Sequence, residues 1–162
     1  MDCICSQFPP LDLDRRSIRK RLKATSVILK PMGLLAESET AGLKLLQCPH
    51  CAQHWQTGRE WNFGNGEYAY QVPAIKVADW LQEPYMQPAA WMIYKAMMEP
   101  YYAKNTFEPS EKSCAVAQCP NQAIKFSGVC EQHHIEQLQQ FGMLPKRPAG
   151  RLFPPYGPTV RA

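Results

Sequence analysis

The sequence predicts a small α+β fold stapled by metal, and three observations carry that prediction. The chain has 162 residues, 45% of them hydrophobic, which allows only small cores and makes extra staples useful. Short helical and short strand signals alternate along it, separated by turn residues. Its seven cysteines and four histidines fall into clusters with ligand-like spacing. The same composition excludes a collagen, a coiled coil and a wholly disordered chain.

Taken in order, residues 1–78 read as an N-terminal α+β unit with a zinc knuckle. Asp12 to Lys23 predicts a helix: Ile18 and Leu22 fall at helical spacing, acids occupy the first turn, and neither Gly nor Pro interrupts it. Ser26 to Lys30 is a β-branched run, after which Pro31 and Gly33 mark a turn. The runs LLAES and LKLLQ flank Glu39-Thr40-Ala41-Gly42 as a hairpin that delivers the chain to Cys48. A further strand is expected in YAYQVPAIKVA, after the turn signals Phe63-Gly64-Asn65-Gly66.

Residues 79–113 form an aromatic- and Met-rich connector that carries Trp80, Tyr85, Trp91, Met98 and Phe107, with a helix from about Pro88 that Pro100 ends or kinks. Large residues of this kind serve as a docking surface in some proteins. Here most are expected in the core joining two metal units, because small metal modules lack apolar mass. Residues 114–142 form the C-terminal finger, whose EQHHIEQLQQF stretch predicts a helix ended by Gly142. Residues 143–162 hold five prolines, four basic residues and no acid. Such a tail is extended, and either wraps the surface through Leu144, Leu152, Phe153 and Tyr156 or reaches a partner.

Zinc takes four ligands in a tetrahedron, and two thiolates separated by two residues can close on one ion through a tight backbone knuckle. Cys48-Pro-His-Cys51 has that spacing. Cys114-x4-Cys119-x10-Cys130-x2-His133 supplies a complete second set, with Cys130 and His133 on one helix face and His134 as a substitute. Seven thiols and one histidine then make two tetrahedral sites with none left over, so two structural Zn2+ are expected. The first site takes Cys3, Cys5, Cys48 and Cys51. The single residue between Cys3 and Cys5 is a tight spacing, and His54 is the substitute for either; without those two thiols, Cys48, Cys51 and His54 form an incomplete set. A redox role for Cys48 and Cys51 requires a helix opening at the first cysteine, which AQHWQTGREW does not resemble.

The segment CAVAQCPNQAIKFSGVCEQHH resembles the short bacterial zinc fingers of treble-clef type, in which a knuckle and hairpin precede a helix that donates the last ligands. That resemblance covers about twenty residues and implies a zinc site without implying an activity.

A catalytic zinc usually keeps an open position for water, whereas these thiolate-rich sets are closed. There is no HExxH, and no His-x-Glu joined to Pro-Cys-x-x-Cys as in zinc deaminases. The expected role is therefore non-catalytic, the binding of a protein partner. In overall character the chain resembles small bacterial cytosolic immunity proteins, which bind and occlude a toxin. The alternative is nucleic acid held by Arg15, Arg16, Arg19, Lys20, Arg21 and Lys23, six cations in nine residues. The formal charge of +4 invites that alternative, although seven thiolates on two dications lower it to about +1. No membrane span and no secretory signal is read from the sequence, and unpaired thiols suit a reducing cytoplasm.

Overall fold

The computed structural model describes residues 3–154. It shows an α+β protein with four α-helices and two antiparallel sheets among those residues. The chain divides into two compact units: one runs to Met92 and takes up the chain again from Pro148, and the other spans Ile93–Arg147.

The first unit opens with a 3-10 helix, Ile4–Gln7, and continues into α1, Arg15–Leu29. Asp14 caps α1, accepting from the Ser17 N–H at 2.9 Å and the Ser17 hydroxyl at 2.7 Å, and these bonds hold its carboxyl below the usual range. The helix expected over Asp12 to Lys23 starts at Arg15 and runs on through the β-branched run to Leu29, with Lys30 as its cap. Ile18, Arg21, Thr25 and Ile28 are buried, and their three- and four-residue spacing continues one helical stripe into that run. Burial of the stripe outweighs the weak strand preference of Val27 and Ile28.

Four strands follow in simple meander order: β1 (Gly33–Ser38), β2 (Leu43–Gln47), β3 (His54–Arg59) and β4 (Glu67–Val72). The β1–β2 hairpin is the expected one, while β3 was not anticipated from its polar sequence. It lies between β2 and β4, with Gln47 opposite His54 and Gln56 opposite Tyr70. β4 stops at Val72 rather than running on, because Pro73 has no N–H for the ladder, and Val77–Gln82 forms α2. α1 packs on β4.

One core cluster contains Ile18, Leu45, Tyr68, Tyr70, Trp80, Tyr85 and Phe153. At its centre the fully buried Gln56 uses its whole amide. Its Nε2 donates to Tyr70 Oη at 2.6 Å and Tyr85 O at 2.7 Å, and its Oε1 accepts from Trp80 Nε1 at 2.7 Å and the Tyr85 N–H at 3.0 Å. Trp80, Tyr85, Met86 and Trp91 are all buried, so these connector residues are core. The tail returns beside them through a parallel bridge between Arg151 and Tyr85. Phe153 is buried, its ring 5.0 Å from Tyr85. Gly150 makes that approach possible: its φ is +123°, and a Cβ there would stand 2.7 Å from Met86 backbone. Leu144 and Leu152 are half-buried, and Tyr156 lies outside the described residues.

The boundary between the units falls within α3, Pro88–Lys104, which contains Pro100 and continues past it. In the second unit, β5 (Pro109–Ser113) pairs with β6 (Gln122–Ile124), and α4 spans Glu131–Gln140. Tyr101, Tyr102 and Phe107 form a ring cluster with centroids 5.9 to 6.2 Å apart. α4 ends as expected at Gly142, whose φ is +71°. The Gly142 N–H reaches Gln139 O at 3.1 Å and the Met143 N–H reaches Leu138 O at 2.9 Å, a Schellman closure.

Candidate metal centres

The ligand atoms of Cys3, Cys5, Cys48 and Cys51 all lie within 4.8 Å of one another, and so do those of Cys114, Cys119, Cys130 and His133.

The first set is built on the β2–β3 turn. β2 delivers Cys48, whose N–H donates to Gln53 O at 2.9 Å while the Ala52 N–H returns to Cys48 O at 3.0 Å. Ala52 closes the knuckle with φ at +59°. Cys3 and Cys5 come from the other side, at the cap and inside of the 3-10 helix. Cys3 is in extended conformation, with φ −76° and ψ 155°, and the change from extended to helical backbone between Cys3 and Cys5 accompanies the convergence of both sulfurs on Cys48 and Cys51. Three side chains hold that segment down: Gln71 Nε2 donates to Cys5 O at 3.1 Å and Phe8 O at 2.8 Å, Arg21 donates to Pro9 O at 2.7 Å, and Trp55 Nε1 donates to Cys5 Sγ at 3.3 Å. Neither Gln71 nor Trp55 stands out by spacing or motif, and Arg21 stands out only as one cation of the basic run. Cys5 and Cys48 are buried with Ile28, Leu46 and Trp55 in a second core cluster, while Cys51 is exposed.

The second set sits at the meeting of the β5–β6 loop and the start of α4. The Cys114 N–H donates to Asn121 O at 3.0 Å and the Cys119 N–H to Val116 O at 3.1 Å, with Gln118 turned to a φ of +63°. Cys130 is the residue before α4, and His133 lies in its first turn. His133 Nδ1 is 3.3 Å from both Cys114 Sγ and Cys130 Sγ, and Cys119 Sγ is 3.8 Å from Cys130 Sγ. A tetrahedral ion with metal–sulfur bonds of about 2.3 Å and metal–nitrogen bonds of about 2.0 Å requires S···S edges of about 3.8 Å and S···N edges of about 3.5 Å. The set fits such an ion with little adjustment. The same 3.8 Å is far beyond a disulfide bond, and all seven cysteines are free.

The electrostatics within each set are uneven. Burial raises the Cys48 thiol, but N–H donors from Cys51 and His50 outweigh it and bring it to about 7. Burial likewise opposes ionisation of Cys114, yet N–H donors from Cys130 and Val116 and the His133 ring bring it to about 6. Cys5 goes the other way, pushed up to about 12 mainly by burial.

The remaining histidines are not in either set. His54 is buried, with Nδ1 accepting from the Ile75 N–H at 3.2 Å and Nε2 3.1 Å from the Gln47 amide; both ring nitrogens are engaged, so it does not substitute for Cys3 or Cys5. His134 points to Phe107, its ring 6.5 Å away, and His133 takes the place beside the thiols. His50 is exposed on the knuckle.

On α1 the basic residues divide. Arg15, Arg16, Arg19, Lys20 and Lys23 are exposed, whereas Arg21 is buried, donating to Ala69 O at 3.1 Å. The guanidinium of Arg21 also lies 5.7 Å from the Trp55 ring and 5.9 Å from the Phe8 ring, so it belongs to the core and not to the basic face. No described helix is long and apolar enough to cross a membrane. No protein family, curated protein or solved structure matches this chain.

Proposed function

We propose that this is a non-catalytic binding protein whose two units are each pinned by one structural zinc ion. The observation that carries the reading is the sorting of eight donors, seven thiols and one imidazole, into two sets of four with mutually close ligand atoms. Sulfur-rich, four-ligand sets suit zinc, and they leave no position for a catalytic water. In the second unit the knuckle of Cys114 and Cys119 between β5 and β6, followed by a helix that opens at Cys130, supports the zinc-finger reading of Cys114, Cys119, Cys130 and His133. Structural zinc also explains how a unit with few buried apolar residues holds its shape. Free thiolates of this kind persist in a reducing cytoplasm.

Without a catalytic group, the working part is the surface. Trp80, Tyr85, Met86, Trp91 and Met98 of the connector are buried, whereas Tyr94, Tyr101, Tyr102 and Phe107 are half-buried and Met97 is exposed; this narrows the apolar surface open to a protein partner and leaves a toxin-occluding immunity role resting on overall character. Native and denaturing mass spectrometry of the purified chain test the zinc reading. Two zinc equivalents in the folded protein, lost on unfolding, are expected; a folded protein with full stability and no metal overturns it.

A further inference from the structure

We infer that the exposed face of α1, together with Trp61, binds single-stranded nucleic acid; this rests on the reading of the protein as a non-catalytic binder.

Successive helical residues turn by about 100°, so Arg16, Arg19, Lys20, Lys23 and Lys30 fall within an arc of about 100°, opposite the buried Ile18, Arg21, Thr25 and Ile28. All five cations are exposed. The stripe is about 20 Å long at 1.5 Å per residue. A face kept merely for solvation interleaves both signs, but α1 contains no acid at all. The acid at its start, Asp14, is committed to Ser17. None of the ion pairs among the described residues uses one of these five cations.

A second feature flanks the stripe. The 3-10 turn Trp61–Phe63 is pressed against one side of α1: Arg15 donates to Asn62 O at 3.4 Å and stacks 4.8 Å over the Phe63 ring, and a Cβ on Gly66 would stand 2.9 Å from Leu22 Cδ2. Arg19 is one helical turn from both Arg15 and Leu22, so it joins this turn to the rest of the stripe. The turn presents Trp61 with 75% of its surface exposed, while Trp55, Trp80 and Trp91 are buried. Nothing in the fold requires an indole there, and Glu60 is the one acid of the turn.

Cations along a helix meet a row of phosphates, and an open aromatic face beside them meets an unpaired base, whose π-surface any sequence offers. A duplex keeps its bases stacked inside and has no use for the indole. A purely acidic protein surface matches the cations but gives Trp61 no base to stack on.

The test uses the zinc-loaded full chain and a fluorescein-labelled oligothymidylate of about 20 nucleotides, followed by anisotropy from about 50 to 300 mM salt. Expected is binding that weakens with salt and quenches tryptophan emission. In the triple variant Arg16→Ala, Arg19→Ala, Lys23→Ala, affinity at the lowest salt falls at least about tenfold and the log–log salt slope drops by about 2, near 0.7 for each phosphate contact. Trp61→Ala weakens binding about tenfold with the slope unchanged, and Trp61→Phe abolishes the quench while keeping most of the affinity. Absence of binding at the lowest salt overturns the inference, as does binding that both variants leave untouched. Equal affinity for polyglutamate, indifferent to Trp61, also overturns it and assigns the face to an acidic protein. Zinc content is measured on every sample: two equivalents without nucleic-acid binding sink this inference alone, whereas a folded, metal-free chain sinks the underlying reading.

Discussion

Arg21 and Arg19 are two residues apart on α1 and do unrelated things. Arg21 spends its guanidinium inside, on Ala69 O, Pro9 O and two aromatic faces. Removing it takes a donor from the buried Ala69 carbonyl and from the part-buried Pro9 carbonyl, and loosens the segment that carries Cys5. Arg21→Ala should cost roughly 2 to 4 kcal/mol in denaturant unfolding, and Arg19→Ala should stay within about 0.5 kcal/mol; equal effects would contradict the division. His54 makes a second prediction at this scale. Burial lowers its pKa from the ordinary 6.5, so the folded chain holds the ring neutral where the unfolded chain takes up a proton. The stability it contributes is therefore present above pH 6.5 and is lost as pH falls through the depressed folded value. His54→Gln, which keeps a polar side chain without a proton to gain, should show a shallower loss of stability on the acid side than the wild type. Parallel pH profiles would rule this out.

At the scale of elements, β3 is held by polar groups in the place where a central strand usually carries apolar ones. Gln56 satisfies four partners at once, and Thr57 Oγ1 accepts from the Lys44 N–H at 3.2 Å. Replacing Gln56 with Leu keeps the volume but orphans the Trp80 and Tyr85 N–H groups, so it should cost about 3 to 5 kcal/mol. A thermal melt within two degrees of wild type would show the network to be dispensable. This is also why β3 was illegible in sequence: its burial on both faces follows from partners far along the chain, and Gln56 and Thr57 carry no local sign of them. The end of α1, expected at Lys23, lies at Leu29 for a related reason: the buried stripe from Ile18 continues through Arg21, Thr25 and Ile28, and two of its members are polar residues that carry no local sign of burial. The β1–β2 hairpin, the Pro88 start of α3 and the Gly142 end of α4 were legible because turn and cap residues act locally. The grouping of the eight donor side chains was legible too, since thiol spacing reflects what one ion can reach, although joining Cys3 and Cys5 to Cys48 and Cys51 took counting rather than spacing.

For the whole molecule, the two metal sets fall one in each compact unit, and this makes their loss separable. All four tryptophans lie at or before Trp91 and so belong to the first unit; intrinsic tryptophan emission reports that unit alone. The second unit has Tyr94, Tyr101 and Tyr102 but no tryptophan, and its third core cluster consists of Cys114, Val129 and Cys130 with Cys119 beside them. Its ligands thus make up most of that cluster. A unit of this kind has little to fall back on when one thiolate is removed, because metal binding and folding are then the same equilibrium. Cys119→Ser should therefore lose one zinc equivalent and become open to protease within residues 93–147, while the tryptophan emission maximum stays where it is in the wild type. Cys5→Ser should do the reverse, shifting the emission to the red as Trp55 loses its sulfur partner, and leaving 93–147 protected. If either variant disturbs both readouts together, the two units fold as one cooperative block and the metal sites are coupled through it. If Cys119→Ser keeps both zincs and an unchanged protease pattern, Cys119 is not a ligand, and the second site must be completed by another donor.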